Sequence, residues 1–129
     1  MNKLDLITAA RTARESAYAP YSSFAVGAAL LDADGRTFVG CNVENVSFGL
    51  TMCAERVAVG SAVAAGATNF DAIAVVSDSA EPVVPCGACR QVLAEFSPSL
   101  RVISATINGS VTEFSLASLL PSPRQGILG

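Results

Sequence analysis

The sequence predicts an α/β fold in which one mixed β-sheet is covered by helices. Helix-period and strand-period apolar patterns alternate along the chain, and the breaks between them are short and carry turn residues. Strands separated by helices imply parallel crossovers, whereas strands joined by tight turns imply antiparallel hairpins, so the sheet is expected to be mixed. The length of 129 residues suits one domain, and residues 1–129 are read as one.

The elements follow in order. Over residues 3–17, Leu4, Ile7, Ala10, Ala13 and Ala17 recur at helical spacing, and Pro20 stops the pattern. Two strand-like runs, 25–31 and 36–43, are joined through Asp34-Gly35, which predicts a hairpin. An Ala- and Val-rich helix is expected over 52–65 with Gly66 as its stop, then a buried strand over 72–76. A helix over 87–96, a strand over 101–107, the turn Asn108-Gly109, a weaker strand over 111–114 and a short helix over 116–120 complete the chain.

Composition excludes several classes of function. The net charge of −3, with Lys and Arg scattered, argues against a nucleic-acid partner, which needs clustered positive charge. The longest stretch without a charge, 16–31, is broken by Pro20, two Tyr and three Ser, so no membrane span is expected. Asp5 and Arg11 fall where a signal core would have to be apolar; no secretory or transit segment is readable and a cytoplasmic location is expected. The chain has no His, which removes Ser-His-Asp and Cys-His nucleophilic chemistry. Half of the residues are apolar, and so much apolar surface on a small body suggests burial between subunits.

Four cysteines stand at 41, 53, 86 and 89, and in a cytosolic chain such a set reads as metal-binding or catalytic before it reads as disulfides. Cys53 and the pair Cys86 and Cys89 fall where loops enter predicted helices, and helix N-termini favour the thiolate that binds metal. Spaced three apart on a first helical turn, Cys86 and Cys89 present both sulfurs on one side. Cys53 adds a third thiolate, which leaves one tetrahedral position of a zinc ion free, as a catalytic site requires. Glu55, two residues on, is the natural general acid and base. Arg56 and Arg90 are placed to donate to the sulfurs and offset their charge. Bland readings stand beside these: a redox or buried Cys pair, a structural four-cysteine zinc site that would need Cys41, a solvated Glu55 and ordinary surface arginines.

Cys53-Ala54-Glu55-Arg56 together with Pro85-Cys86-Gly87-Ala88-Cys89-Arg90-Gln91 resembles the small, homotetrameric, three-cysteine cytidine deaminases. Residues 19–29, with Ala19-Pro20-Tyr21-Ser22-Ser23-Phe24, resemble that family's entry segment, and Gly40-Cys41-Asn42-Val43-Glu44-Asn45 its ribose-binding segment. The resemblance covers residues 5–121. It implies a three-layer α/β/α fold with a mixed five-stranded sheet, zinc on Cys53, Cys86 and Cys89, proton shuttling by Glu55 and modulation of the thiolates by Arg56. It further implies substrate contacts from Phe24, Asn42, Glu44 and Ala54, with Asn42 and Glu44 on the sugar hydroxyl and Phe24 against the pyrimidine. The implied activity is hydrolytic deamination of cytidine and deoxycytidine, in pyrimidine salvage.

Two positions depart from the family. Phe48 stands where many relatives carry Tyr, and residues 122–126 hold no aromatic where the family commonly sends one into a neighbouring subunit's site. These departures keep a modified cytosine nucleoside such as blasticidin S as an alternative substrate. A zinc-stabilised interaction module without catalysis is the alternative of a different class.

Overall fold

The computed structural model describes residues 1–124, so Gln125 and Gly126 of the altered tail lie outside the described residues. Helix α1 (Lys3–Arg14) opens at Asn2, whose Oδ1 accepts from the Asp5 N–H at 2.9 Å and so satisfies one of the free amides of the first turn. It ends three residues short of the predicted end. The amides of Glu15, Ser16 and Ala17 reach back only three residues, to Thr12, Ala13 and Arg14, which tightens the last turn, and Tyr18 then leaves to bridge Val43.

Strands β1 (Val26–Asp32) and β2 (Thr37–Cys41) form the expected hairpin. Its connection is the four-residue stretch 33–36, in which Gly35 alone turns left-handed with φ 87°. The buried Asp32 carboxylate organises the loop, accepting from the amides of Asp34 (3.0 Å) and Arg36 (2.7 Å) and from Arg36 Nε (2.8 Å). Strand β2 stops two residues before its predicted end because the Asn42 side chain turns into the start of β1. The chain then passes a 3₁₀ turn at Phe48–Leu50 into α2 (Ala54–Ala64), which stops at Gly66 with φ 90°. There follow β3 (Phe70–Ser77), α3 (Gly87–Phe96), β4 (Arg101–Thr106), β5 (Val111–Ser115) and α4 (Leu116–Leu119).

The five strands form one mixed sheet in the order β2-β1-β3-β4-β5. Only the crossover through α3 joins neighbouring parallel strands, β3 and β4; the crossover through α2 leads from β2 to β3 with β1 lying between them, antiparallel to both. Burial explains the order. Ala28, Ala29 and Leu30 are wholly buried and belong inside the sheet, while β2 exposes Val39 and belongs at the edge.

Helix α1 covers one face, packing Leu6, Ile7 and Ala10 on Ala29, Ala72, Ala74, Val76 and Ile103. The other face, with Leu30, Ile73, Val75 and Val102, is covered by α2, α3 and α4 through Ala58, Ala62, Leu93 and Leu116. The fold is thus the expected α/β/α sandwich. Gly40 lets α2 settle directly on β2: a Cβ there would lie 2.4 Å from the Ala54 carbonyl oxygen and 2.5 Å from the Ala58 nitrogen. That close approach brings the start of α2 to the end of the hairpin. Among the described residues no helix is long and apolar enough to cross a membrane.

Candidate active site

Cys53 and Cys86 are the residues immediately before α2 and α3, both with extended backbone and neither capping its helix through the thiol. The helices lie side by side on one sheet face, so their N-termini meet. The sulfurs of Cys53, Cys86 and Cys89 all lie within 4.8 Å of one another, with Cys53 and Cys86 at 3.9 Å. Tetrahedral thiolates about 2.3 Å from a shared zinc are about 3.8 Å apart, so this donor set fits that ion. Cys41 stays in β2 outside the group, which removes the fourth thiolate of a structural site.

The sulfurs do not share their protons evenly. The Cys89 hydrogen bond, with help from Arg56 and against the effect of burial, holds the Cys53 thiol down to about 5. The same bond, burial and the neighbouring Glu55 push Cys89 up. Arg56 donates to Cys53 Sγ at 3.4 Å and to the Thr51 carbonyl at 3.3 Å, tying the thiolate to the loop before it. Arg90 does not join it, contrary to expectation. One residue past Cys89 it projects from a different face of α3, and its guanidinium donates to the carbonyls of Pro85 (2.8 Å) and Leu119 (3.1 Å).

Glu55 is 6% exposed, in the first turn of α2. Burial, reinforced by the negative Cys53 and only partly offset by its own backbone N–H, raises its carboxyl to about 7. It opens into a cavity of about 280 Å³ lined also by Phe24, Val26, Asn42, Thr51, Cys53, Ala54, Val75, Val83 and Val84. Of the expected substrate residues, Phe24, Asn42 and Ala54 therefore meet there. Glu44 does not; it lines an adjoining hollow with Tyr21, Ser22 and Phe48, and Thr51 forms the wall between the two. The Glu44 carboxylate accepts from the amides of Tyr21 (2.9 Å) and Ser22 (3.1 Å) and from the Ser22 hydroxyl. Asn42 is likewise engaged, accepting from the Val26 amide at 2.9 Å and donating to the Phe24 carbonyl at 2.7 Å.

This geometry agrees with what the chain is similar to. Residues 1–105 match the family model of the cytidine and deoxycytidylate deaminase zinc-binding region. The chain belongs to the cytidine deaminase family. It is 51% identical over 117 residues to a cytidine deaminase of Sporosarcina psychrophila, covering 90% of this chain and 86% of that one. It is 50% identical to a cytidine deaminase of Halalkalibacterium halodurans, over 94% of this chain and 92% of the relative. A crystal structure of cytidine deaminase from Burkholderia pseudomallei superposes with a TM-score of 0.91 at 54% identity, over 94% and 98% of the two chains. For this member of the cytidine deaminase family, sequence reasoning missed Val26, Thr51, Val75, Val83 and Val84. Val75 looks like any other core residue of a buried strand. Thr51, Val83 and Val84 carried a signal only in standing just before a cysteine motif.

Proposed function

We propose that this chain is a zinc-dependent enzyme that deaminates cytidine and deoxycytidine to uridine and deoxyuridine with release of ammonia, acting as a cytoplasmic homotetramer in pyrimidine salvage. The observation that carries the reading is the buried Glu55 carboxyl facing a nucleoside-sized cavity beside three converging cysteine sulfurs. Cytidine deaminases related at about half identity supply the substrate class. Cys53, Cys86 and Cys89 would hold the zinc, a Lewis acid that brings the pKa of water to about 7 when bound.

The rest is the work of this chain's residues. Glu55 takes a proton from the attacking water and delivers it to ring N3, which makes C4 electrophilic. It then takes the second proton from the new C4 hydroxyl and passes it to the amino group as the C4–N bond breaks and the C4 carbonyl forms, so that cytidine and water become uridine and ammonia. Near neutral pH a carboxyl raised by burial holds or yields that proton with equal ease. Phe24, Val26, Val75, Val83 and Val84 wall the ring from bulk water and so strengthen every charge interaction inside. Asn42 keeps a free lone pair on Oδ1 for a sugar hydroxyl. Glu44, held ionised chiefly by the Ser22 hydroxyl, can only accept. Arg56 steadies Cys53.

The test is ammonia release by purified, zinc-loaded protein from cytidine, deoxycytidine, cytosine, CMP, deoxycytidylate and blasticidin S in parallel. Turnover of the two nucleosides without base or nucleotide is the expected result. Turnover of blasticidin S alone would shift the reading to a modified nucleoside, and ammonia from none of them would overturn it.

A further inference from the structure

Every backbone N–H from Tyr21 to Val26 has an acceptor, and most of these acceptors are side chains. Tyr21 and Ser22 donate to Glu44, Ser23 to the Ala19 carbonyl, Phe24 to Ser22 Oγ, Ala25 to Asp78 Oδ2 at 3.4 Å and Val26 to Asn42 Oδ1. In the middle, Ser23 holds φ at 58°, a left-handed conformation uncommon for a residue with a side chain. Such a conformation persists when its surroundings over-determine it. The next residue is Phe24, whose ring lines the cavity.

Asn42 and Glu44 have already been assigned to the substrate. Asp78 has no such assignment. It stands just past the end of β3, and its other oxygen, Oδ1, accepts from the Arg14 guanidinium at the end of α1. Both side chains of this pair are only about a quarter exposed, and Arg14 Nε is buried without another partner among the described residues. Arg14 is itself fixed closely, because α1 crosses Gly27 so tightly that a Cβ there would lie 2.5 Å from the Arg14 nitrogen. One carboxylate thus joins three elements: α1 through Arg14, β3 through its own backbone, and the Phe24 segment through the Ala25 amide.

We propose that Asp78, anchored by Arg14, is a positioning residue that sets the Phe24 wall of the cavity and thereby the hold on the pyrimidine ring. This rests on reading the cavity as a nucleoside deaminase site. Without the carboxylate, the Ala25 amide loses its acceptor beside the left-handed Ser23, and the ring is free to turn. Glu55 and the three cysteines stand on other elements, so the proton transfers are untouched.

The experiment uses the full zinc-loaded chain. Asp78→Ala is expected to raise KM for cytidine about tenfold with kcat held within about threefold, the pattern of lost ground-state binding by a removed charged acceptor. Asp78→Asn, which keeps an acceptor for Ala25, is expected to raise KM by only about threefold. In a Phe24→Ala background Asp78→Ala is expected to add nothing further, because the two act as a unit; independent, multiplying effects on KM would contradict the proposal. The chain has no tryptophan, so Phe24→Trp puts a lone tryptophan at the wall, whose emission can be excited apart from that of the two tyrosines. Its quenching by acrylamide is expected to rise when Asp78→Ala is added, and unchanged quenching would overturn the proposal. This second readout needs no turnover. Increased quenching in a protein that releases no ammonia would defeat the deaminase reading and leave the positioning role standing, while turnover with unchanged quenching would do the reverse. If Asp78→Ala does not fold, Asp78→Asn carries the test, and wild-type KM and quenching in that variant would assign Asp78 to stability alone.

Discussion

Glu55 is a carboxylate that folding should avoid burying, at 6% exposure and next to a thiolate, yet α2 places it there. A buried group that raises the cost of its own charge is well suited to passing a proton. Glu55→Gln keeps the shape and removes the proton relay, so the variant is expected to fold, to bind zinc and to release ammonia at least ~10²-fold more slowly. Near-normal turnover would remove Glu55 from the mechanism. This residue and the three cysteines were legible in the sequence because their spacing places them at helix starts. Glu44 and Arg90 were less so. Beside the Ser22 hydroxyl on Glu44, their partners are amides of Tyr21 and Ser22 and carbonyls of Pro85 and Leu119, and no spacing rule foretells which backbone groups a folded chain leaves open to a charged side chain.

At the scale of elements, the site depends on how closely α2 lies on the hairpin. Gly40→Ala would press a methyl group against the backbone of Ala54 and Ala58, which cannot move without the helix. The expected cost is about 1–3 kcal/mol of stability, measured by urea denaturation, with weaker zinc retention because Cys53 is carried on the same helix start. Unchanged stability would show that α2 can shift freely.

The hairpin itself turns on Asp32. Burial tends to raise its carboxyl, but the bonds from the Arg36 amide and guanidinium outweigh burial and hold it below its ordinary 3.8. A carboxyl lowered by folding stabilises the fold above its unfolded value and loses that contribution as the pH falls. Asp32→Asn is therefore expected to lower Tm at pH 7, with the gap to wild type closing as the pH drops through 3.8 and below; a gap independent of pH would assign the loss to shape alone. Most element positions could be read from periodicity and turn pairs. Their ends could not, because Tyr18, Asn42 and Val43 leave the helix and strand patterns for partners far along the chain.

Over the whole molecule, two helices enter one sheet face with their N-termini together, and that arrangement turns three scattered cysteines into one donor set. The alternation of helix and strand implied a mixed sheet. The insertion of β1 between β2 and β3 was not legible in it, since both orders satisfy the same apolar pattern. The high apolar fraction has a visible counterpart: Val46, Phe48, Leu50 and Met52, on the loop that leads into α2, are all exposed on the single chain, as is Tyr21, whose ring meets that of Phe48 edge-on at 6.2 Å. A surface of this kind marks an interface, and it supports the proposed homotetramer. Leu50→Glu is expected to reduce the mass found by light scattering from that of four chains towards one or two; four chains retained would place the interface elsewhere.

Cys53, Cys86 and Cys89 are proposed to hold one zinc ion beside Glu55, with room left for a water. X-ray absorption at the zinc edge of the purified protein tests it most directly. Three sulfurs at about 2.3 Å and one oxygen at about 2.0 Å are the expected shell. Four sulfurs, or a mixed shell of nitrogen and oxygen with fewer than three, would contradict it.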